Sequence, residues 1–279
     1  MKLLFALLMP LMAYAGIPRP TDHTVQESAR LQLFDNEFAV RHNQVQGISR
    51  VLKFGYNLDV DTGAEEAIVS YEGDIDLPSS ADTVTIVSTD ANDAAGDTGA
   101  RLISVECLDE NYDTVTFTMV PNGTSNVTST QTCIAINSMR VATAGSSRSN
   151  EGTITATQTN TGDTLRQIPA GDSVTQSCHY TVPNGKKAYF DNVILEVIKL
   201  TGGATPAVVF RSKLYRPSTG VIYKNIRAYI DATKTNHLSL EKATVTPAQE
   251  GDVIWITAST DTDNTQVSCR TNIVLIDTE

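Results

Sequence analysis

The sequence predicts an all-β protein made of two β-sandwich, jelly-roll-like domains, residues 51–164 and 165–279, preceded by a hydrophobic leader (1–15) and an extended arm (16–50). Three observations lead there. Segments 84–88, 102–107, 115–120 and 134–141 alternate apolar with polar residues, the period of a strand with one face on a core and one in water. Glycine-, aspartate- and asparagine-rich turns separate them, as in Asp90-Ala-Asn-Asp-Ala-Ala-Gly-Asp-Thr-Gly99 and Asn122-Gly-Thr124. Beyond residue 50, Thr, Val, Ile and Ser abound while runs of Ala, Leu, Glu and Lys are nearly absent, which favours strands over helices.

The amino terminus reads differently from the rest. Met1-Lys2 is a minimal basic start, residues 3–12 are apolar except for Pro10, and Ala13-Tyr14-Ala15 places small residues where a signal peptidase inspects, ahead of Gly16. The apolar run matches a secretory leader and is too short to span a bilayer as a helix. The other reading is a hydrophobic anchor buried in an assembly. Residues 16–50 mix charge with isolated apolar residues. Leu31, Phe34 and Phe38 fit helical spacing and Leu31 and Leu33 fit a strand, so the stretch reads as an arm ordered by a partner or as a flexible leader.

The first domain opens with 51–57 and Asp59-Val-Asp-Thr-Gly63 and ends with 153–157. The polar run 159–164 has no apolar period and marks the boundary, with a possible hinge at 158–166. In the second domain the expected strands are 175–181, 188–200, 207–215, 221–230, 252–258 and 267–276, with strong turns at Val182-Pro-Asn-Gly185 and Pro217-Ser-Thr-Gly220. Regular spacing of strands and turns points to sandwiches rather than parallel α/β units.

The formal net charge of −11 disfavours binding to nucleic-acid phosphates or anionic lipid headgroups. The acid is spread over turns, where it serves solubility. Cys107, Cys133, Cys178 and Cys269 form no C-x-x-C pair, which argues against a zinc or dithiol motif. In an oxidising compartment Cys107–Cys133 and Cys178–Cys269 are the natural disulfides, each pair on or beside strands of one expected domain. In a reducing cytoplasm the four are small buried hydrophobes.

No constellation of catalytic side chains stands out, so catalytic, cofactor and metal residues are all expected to be absent. Asp59-Val-Asp61-Thr-Gly63 begins like a calcium loop but lacks the acidic residue at the final position; Asp90, Asp93 and Asp97 form a second acidic turn. Both read more simply as capped or solvated turns. Glu65 and Glu66 are neighbours and would face apart in a strand, a poor acid–base pair. Of the four histidines, His23, His42, His179 and His237, only His179 has a suggestive neighbour, Cys178. Adjacent strand residues also face apart, so a structural cysteine beside an exposed histidine is the expectation. Gly185-Lys186-Lys187 lacks the upstream glycine and the hydroxyl of a phosphate loop. Asn122 and Asn126 head glycosylation-type triplets that Asn/Thr-rich turns also produce by chance, and Trp255 sits in an apolar strand, as a core residue would.

The order of several motifs carries a resemblance. Lys53-Phe-Gly-Tyr-Asn-Leu-Asp-Val-Asp-Thr-Gly63 leads into Ser88-Thr-Asp-Ala-Asn-Asp-Ala-Ala-Gly-Asp-Thr-Gly-Ala-Arg101. Cys107-Leu-Asp-Glu-Asn-Tyr112, Asn122-Gly-Thr-Ser-Asn-Val127, Asn150-Glu-Gly-Thr-Ile154, Ile168-Pro-Ala-Gly-Asp172 and Tyr180-Thr-Val-Pro-Asn-Gly-Lys-Lys-Ala-Tyr189 follow in turn. This order resembles a family of virion structural proteins of tailed bacteriophages, common among marine phages, over residues 51–279. The resemblance implies a non-enzymatic, β-rich particle component in many copies, on the head as decoration or at the tail or fibre. Its partners would be capsid or tail subunits and further copies of itself, with no nucleic acid and no membrane in the mature form. The arm lies outside the resemblance and the leader departs from it, since particle proteins assemble without a secretion signal. The alternative is an exported bacterial surface or adhesion protein. A depolymerase with carboxylates converging from separate strands is a more distant reading.

Overall fold

In a computed structural model, residues 45–71, 73–198, 205–241 and 247–278 are described, and those from Gly47 onward belong to one compact unit. The leader, most of the arm, His23 and His42 lie outside the described residues. No helix occurs among the described residues. The strands in chain order are β1 (Ile48–Val60), β2 (Glu66–Ala67), β3 (Asp82–Ser88), β4 (Ala100–Leu108), β5 (Thr114–Met119), β6 (Val127–Cys133), β7 (Ala135–Ala144) and β8 (Ile154–Gln158). The order continues with β9 (Thr164–Ile168), β10 (His179–Thr181), β11 (Lys186–Ile198), β12 (Ala207–Arg216), β13 (Val221–Asp231), β14 (His237–Glu241), β15 (Val253–Thr260) and β16 (Thr265–Asp277).

The all-β class is as expected, but the arrangement is not. The strands form four small sheets, the sheet count of a four-bladed β-propeller, and not two jelly-roll sandwiches in succession. The first sheet runs β1-β16-β11-β14, and the second β10-β15-β12-β13 with β2 on β15. The third runs β6-β3-β8-β9 and the fourth β5-β4-β7. Every strand pairing is antiparallel. The expected division fails because the first strand joins the last: Val51 lies opposite Ile273 and Gly55 opposite Cys269. The sheets built from residues after 178 are thus completed from the amino-terminal end, and residues 82–168 form the third and fourth sheets within that frame. The polar run at 159–164 is the turn of the β8–β9 hairpin and not a domain boundary, and in it Gly162 N donates to Gln158 O at 3.0 Å. Period-two alternation states which face of a strand is buried and is silent about which strand it pairs with.

Apolar residues gather accordingly. One core joins the first and second sheets through Val193, Leu195, Phe210, Ile230, Ile256, Val267 and Ile273. Another joins the third and fourth through Val84, Ile86, Ile103, Val105, Met139, Ile154 and Ile168. The structure places Cys107 against Cys133 within the second core, with Cα atoms 5.8 Å apart, and Cys178 against Cys269 within the first, 6.2 Å apart, as two disulfides.

Residues 168–181 connect the two cores. Val141 N donates to Ser173 O and Thr175 N to Met139 O, so this segment extends the open edge of β7. Farther on, Ser177 N reaches Phe54 O on β1 and Cys178 N reaches Ile68 O. The buried Asn137 side chain then pairs with Thr181 as a backbone amide would, donating to Thr181 O at 2.8 Å and accepting Thr181 N at 2.9 Å. A side-chain amide, with donor and acceptor side by side, thereby satisfies strand groups that would be costly to bury alone. Gly55 is required at this crossing, because a Cβ there would stand 2.6 Å from Cys178 N.

The Cys178–Cys269 bond spans 91 residues, and cross-linking so long a loop restricts the unfolded chain. Replacing both cysteines with alanine is expected to lower stability by about 2–4 kcal/mol in urea unfolding. Intact mass should show the native chain four hydrogens lighter than its reduced form. Equal unfolding midpoints with and without reductant would contradict the clamp.

Candidate interaction surface

The outer face of the second sheet carries a dense charge arrangement. Antiparallel register sets Arg211 on β12 directly opposite Arg227 on β13, and Lys213 opposite Lys224. Like charges in such positions repel. The segment after β1 supplies the counter-charge. Glu65 lies 3.1 Å from Lys213 Nζ, 3.4 Å from Lys224 Nζ and 3.7 Å from Arg211 Nε, and it accepts the Thr257 hydroxyl at 2.8 Å. Burial pushes the Glu65 carboxyl up, but the bonds from Thr257 and Lys213 outweigh it and hold the group below its ordinary value. Asp74 takes Lys213 Nζ and Trp255 Nε1, each at 2.8 Å. Trp255 is buried with Ala67, Val69, Ile75 and Val253, and Lys213 lies over its ring at 5.6 Å. Among the described residues four cations thus face two carboxylates, and the exposed Arg227 side chain has no ion-pair or hydrogen-bond partner.

Glu65 and Glu66 do face apart. Glu66 is buried and accepts Asn57 Nδ2 and Asp61 N, each at 2.9 Å. Asp59 and Asp61 end in an exposed acidic tip with Asp261 and Asp263. The Asp61 carboxyl is pushed up, first by partial desolvation and then by the charges of Asp263, Glu66 and Asp59. No group among the described residues has the arrangement of a metal site.

The second acidic turn is a folding element. The buried Asp93 carboxylate accepts the Ser88 hydroxyl at 2.6 Å and the backbone N–H groups of Ala100, Gly152 and Glu151 at 2.7, 2.8 and 2.9 Å. Gly99 permits this close packing, since a Cβ there would stand 2.3 Å from Asp93 Oδ1. Asp90 accepts Asn92 N, and Arg101 Nε donates to the Asp97 carbonyl. Asp93→Ala strands three backbone donors and should cost about 3 kcal/mol or more in urea unfolding, whereas Asp90→Ala should cost about 1 kcal/mol. Equal losses would contradict this division.

Between the two cores three basic side chains converge. Lys53 donates to Asn137 O and lies 5.4 Å from the Tyr180 ring. Arg166, 1% exposed, donates to Leu165 O at 2.9 Å and to His179 Nδ1. His179 is buried, which corrects the exposed position expected beside Cys178: its ring turns into the joint while Cys178 is in a disulfide. Arginine can only donate, so Nδ1 carries no proton and the ring is neutral. Burial depresses the histidine most, followed by the charges of Arg166 and Lys53. Burial also brings Lys53 down to about 7, with Arg166 adding to the effect and Glu106 opposing it. The cluster is not legible in the sequence because Lys53 on β1 lies far along the chain from Arg166 on β9 and His179 on β10.

Stability follows from the sign of the Lys53 shift. Its folded value, about 7, lies below its ordinary 10.5, so the unfolded chain binds more protons between them and stability rises with pH over that window. Lys53→Met should therefore be more stable than the native chain at pH 6, by on the order of 1–2 kcal/mol. The difference should shrink toward pH 10. A difference constant with pH would show that the ammonium is not responsible.

The remaining sequence candidates do not converge. Lys186 pairs with Asp277, His237 is exposed beside Asn236, and Asn122 and Asn126 are exposed on turns. A cleft of about 400 Å³, including its open mouth, lies among Tyr112, Ile136, His179, Thr181, Tyr215 and Val253. Edge strands also expose apolar side chains. On β1, Leu52, Phe54 and Leu58 are 56%, 46% and 52% exposed and share the outer face. On β13, exposed apolar residues include Val221, Ile222, Tyr223 and Tyr229.

No protein-family model matches the chain, and no curated protein matches it. Among solved structures, that of the infectious bursal disease virus Gt strain is 8% identical, covers 84% of this chain and 78% of its own, and has a TM-score of 0.12. That of the Gx strain is 9% identical, with coverages of 83% and 81% and a TM-score of 0.11. Likenesses at this level carry no argument about fold or function.

Proposed function

We propose that this chain is a non-enzymatic structural component of a tailed phage particle, a head decoration or a tail- or fibre-associated subunit, and that it acts by packing against other subunits. The observation that carries the reading is the apolar exposure on edge strands β1 and β13. Outer faces of edge strands with exposed Leu, Phe, Ile and Tyr invite contact with another chain and are ordinarily covered. In a particle, neighbouring subunits cover them, and modest contacts repeated by symmetry add up to a stable assembly. The resemblance in motif order supports the same reading.

A second reading is an exported bacterial surface or adhesion protein, favoured by the two disulfides, which persist in oxidising compartments. Mass spectrometry of purified particles separates the two. The particle reading expects this polypeptide in repeated copies. Its absence from particles, together with a secreted chain beginning at Gly16, would overturn that reading in favour of export.

A further inference from the structure

We propose that the basic outer face of the β12–β13 pair receives the acidic tip of a second copy of this chain. The inference rests on the multi-copy packing reading and names one contact within it. Two separate observations meet here. Among the described residues, the β12–β13 face sets Arg211, Lys213, Lys224 and Arg227 against Glu65 and Asp74, on a chain whose net charge is −11. The tip formed by Asp59, Asp61, Asp261 and Asp263 is exposed, and no Lys or Arg forms a salt bridge with these residues among the described residues.

Among the described residues each patch is in excess of its own counter-charges, and the two are opposite in sign. Within the tip, desolvation first and then the neighbouring charges of Asp263, Glu66 and Asp59 push the Asp61 carboxyl up. On the basic face, Arg227 projects from a strand whose far edge is unpaired in its sheet. Register places Ile222 and Tyr229 on the same outer face as Lys224 and Arg227, with a bulge between Lys224 and Arg227 keeping both cations outward. Tyr229 is 59% exposed. A guanidinium flanked by exposed aromatic and aliphatic side chains is the composition of an interface centre. The rest of an acidic chain would repel a second copy, so a local basic face also selects the orientation in which copies meet.

The test uses the purified full-length chain in sedimentation velocity at about 50 mM and about 500 mM salt, where screening of exposed charges differs strongly. The native chain is expected to self-associate at low salt and to weaken at high salt. Arg227→Glu and Asp61→Arg should each weaken self-association about tenfold. The chain carrying both reversals should recover it, because the swapped charges again complement each other. Neither side chain is buried, so all variants should keep the native circular dichroism and unfolding midpoint. If the native chain associates and neither reversal changes it, the contact proposed here is wrong while the multi-copy reading stands. A native chain that stays monomeric at low salt also overturns the contact, and particle mass spectrometry then judges the broader reading separately. Loss in both single variants without recovery in the double variant would show that the two patches do not meet.

Discussion

The ladder between β1 and β16 is the constraint on which the rest of the molecule depends. It joins strands from opposite ends of the described chain, from Ile48 opposite Ile276 to Val60 opposite Thr265. Until it forms, the first sheet lacks its edge and Val60 is missing from the first core. Closing so long a loop is entropically costly, and the contacts that offset it appear only after closure. The Cys178–Cys269 bond acts at the same place, holding the start of the second sheet against the middle of β16. Residues 82–168 carry a core of their own within this frame.

Polar groups are handled in opposite ways at the joint and at the surface. On the outer face of the second sheet, Lys213 is nearly enclosed, and burial would lower its affinity for a proton. Its bonds to Asp74 and Glu65 outweigh that effect and raise it instead. At the joint, Lys53, Arg166 and His179 face one another, and among the described residues Glu106 is the carboxylate whose charge acts on Lys53. Buried like charges destabilise a fold, and a joint of this kind holds through its hydrogen bonds to Asn137, Leu165 and His179. The Asn137–Thr181 pair supplies what the charges do not, a neutral link that matches both backbone groups of Thr181.

The same division bears on function. The acidic turn at 90–99 looks like ligand chemistry in sequence, yet its central carboxylate is consumed by four donors of the protein itself. The surfaces left with unmatched character are edge strands and patches of opposite charge, which suit recognition of other proteins. Shape and charge on rigid sheets, held by two disulfides, are the properties available to a packing subunit.

Strand positions were legible in the sequence because burial of alternate side chains is a local property: β3, β4, β5, β7 and β8 and most of the strands after 186 fall where alternation and turns place them. Weaker signals were missed. β6 is Thr- and Ser-rich with exposed faces, β9 follows a turn mistaken for a boundary, β2 is two residues long, and β14 is a short edge strand. What only the tertiary structure decided is partnership: that β1 belongs with β16, that residues 82–168 lie inside the frame rather than before it, and that Lys53, Arg166 and His179 meet. The reason is physical. Alternation encodes the environment of a strand's two faces, whereas the identity of its neighbour emerges from collective packing of sheets whose members are distant in the chain.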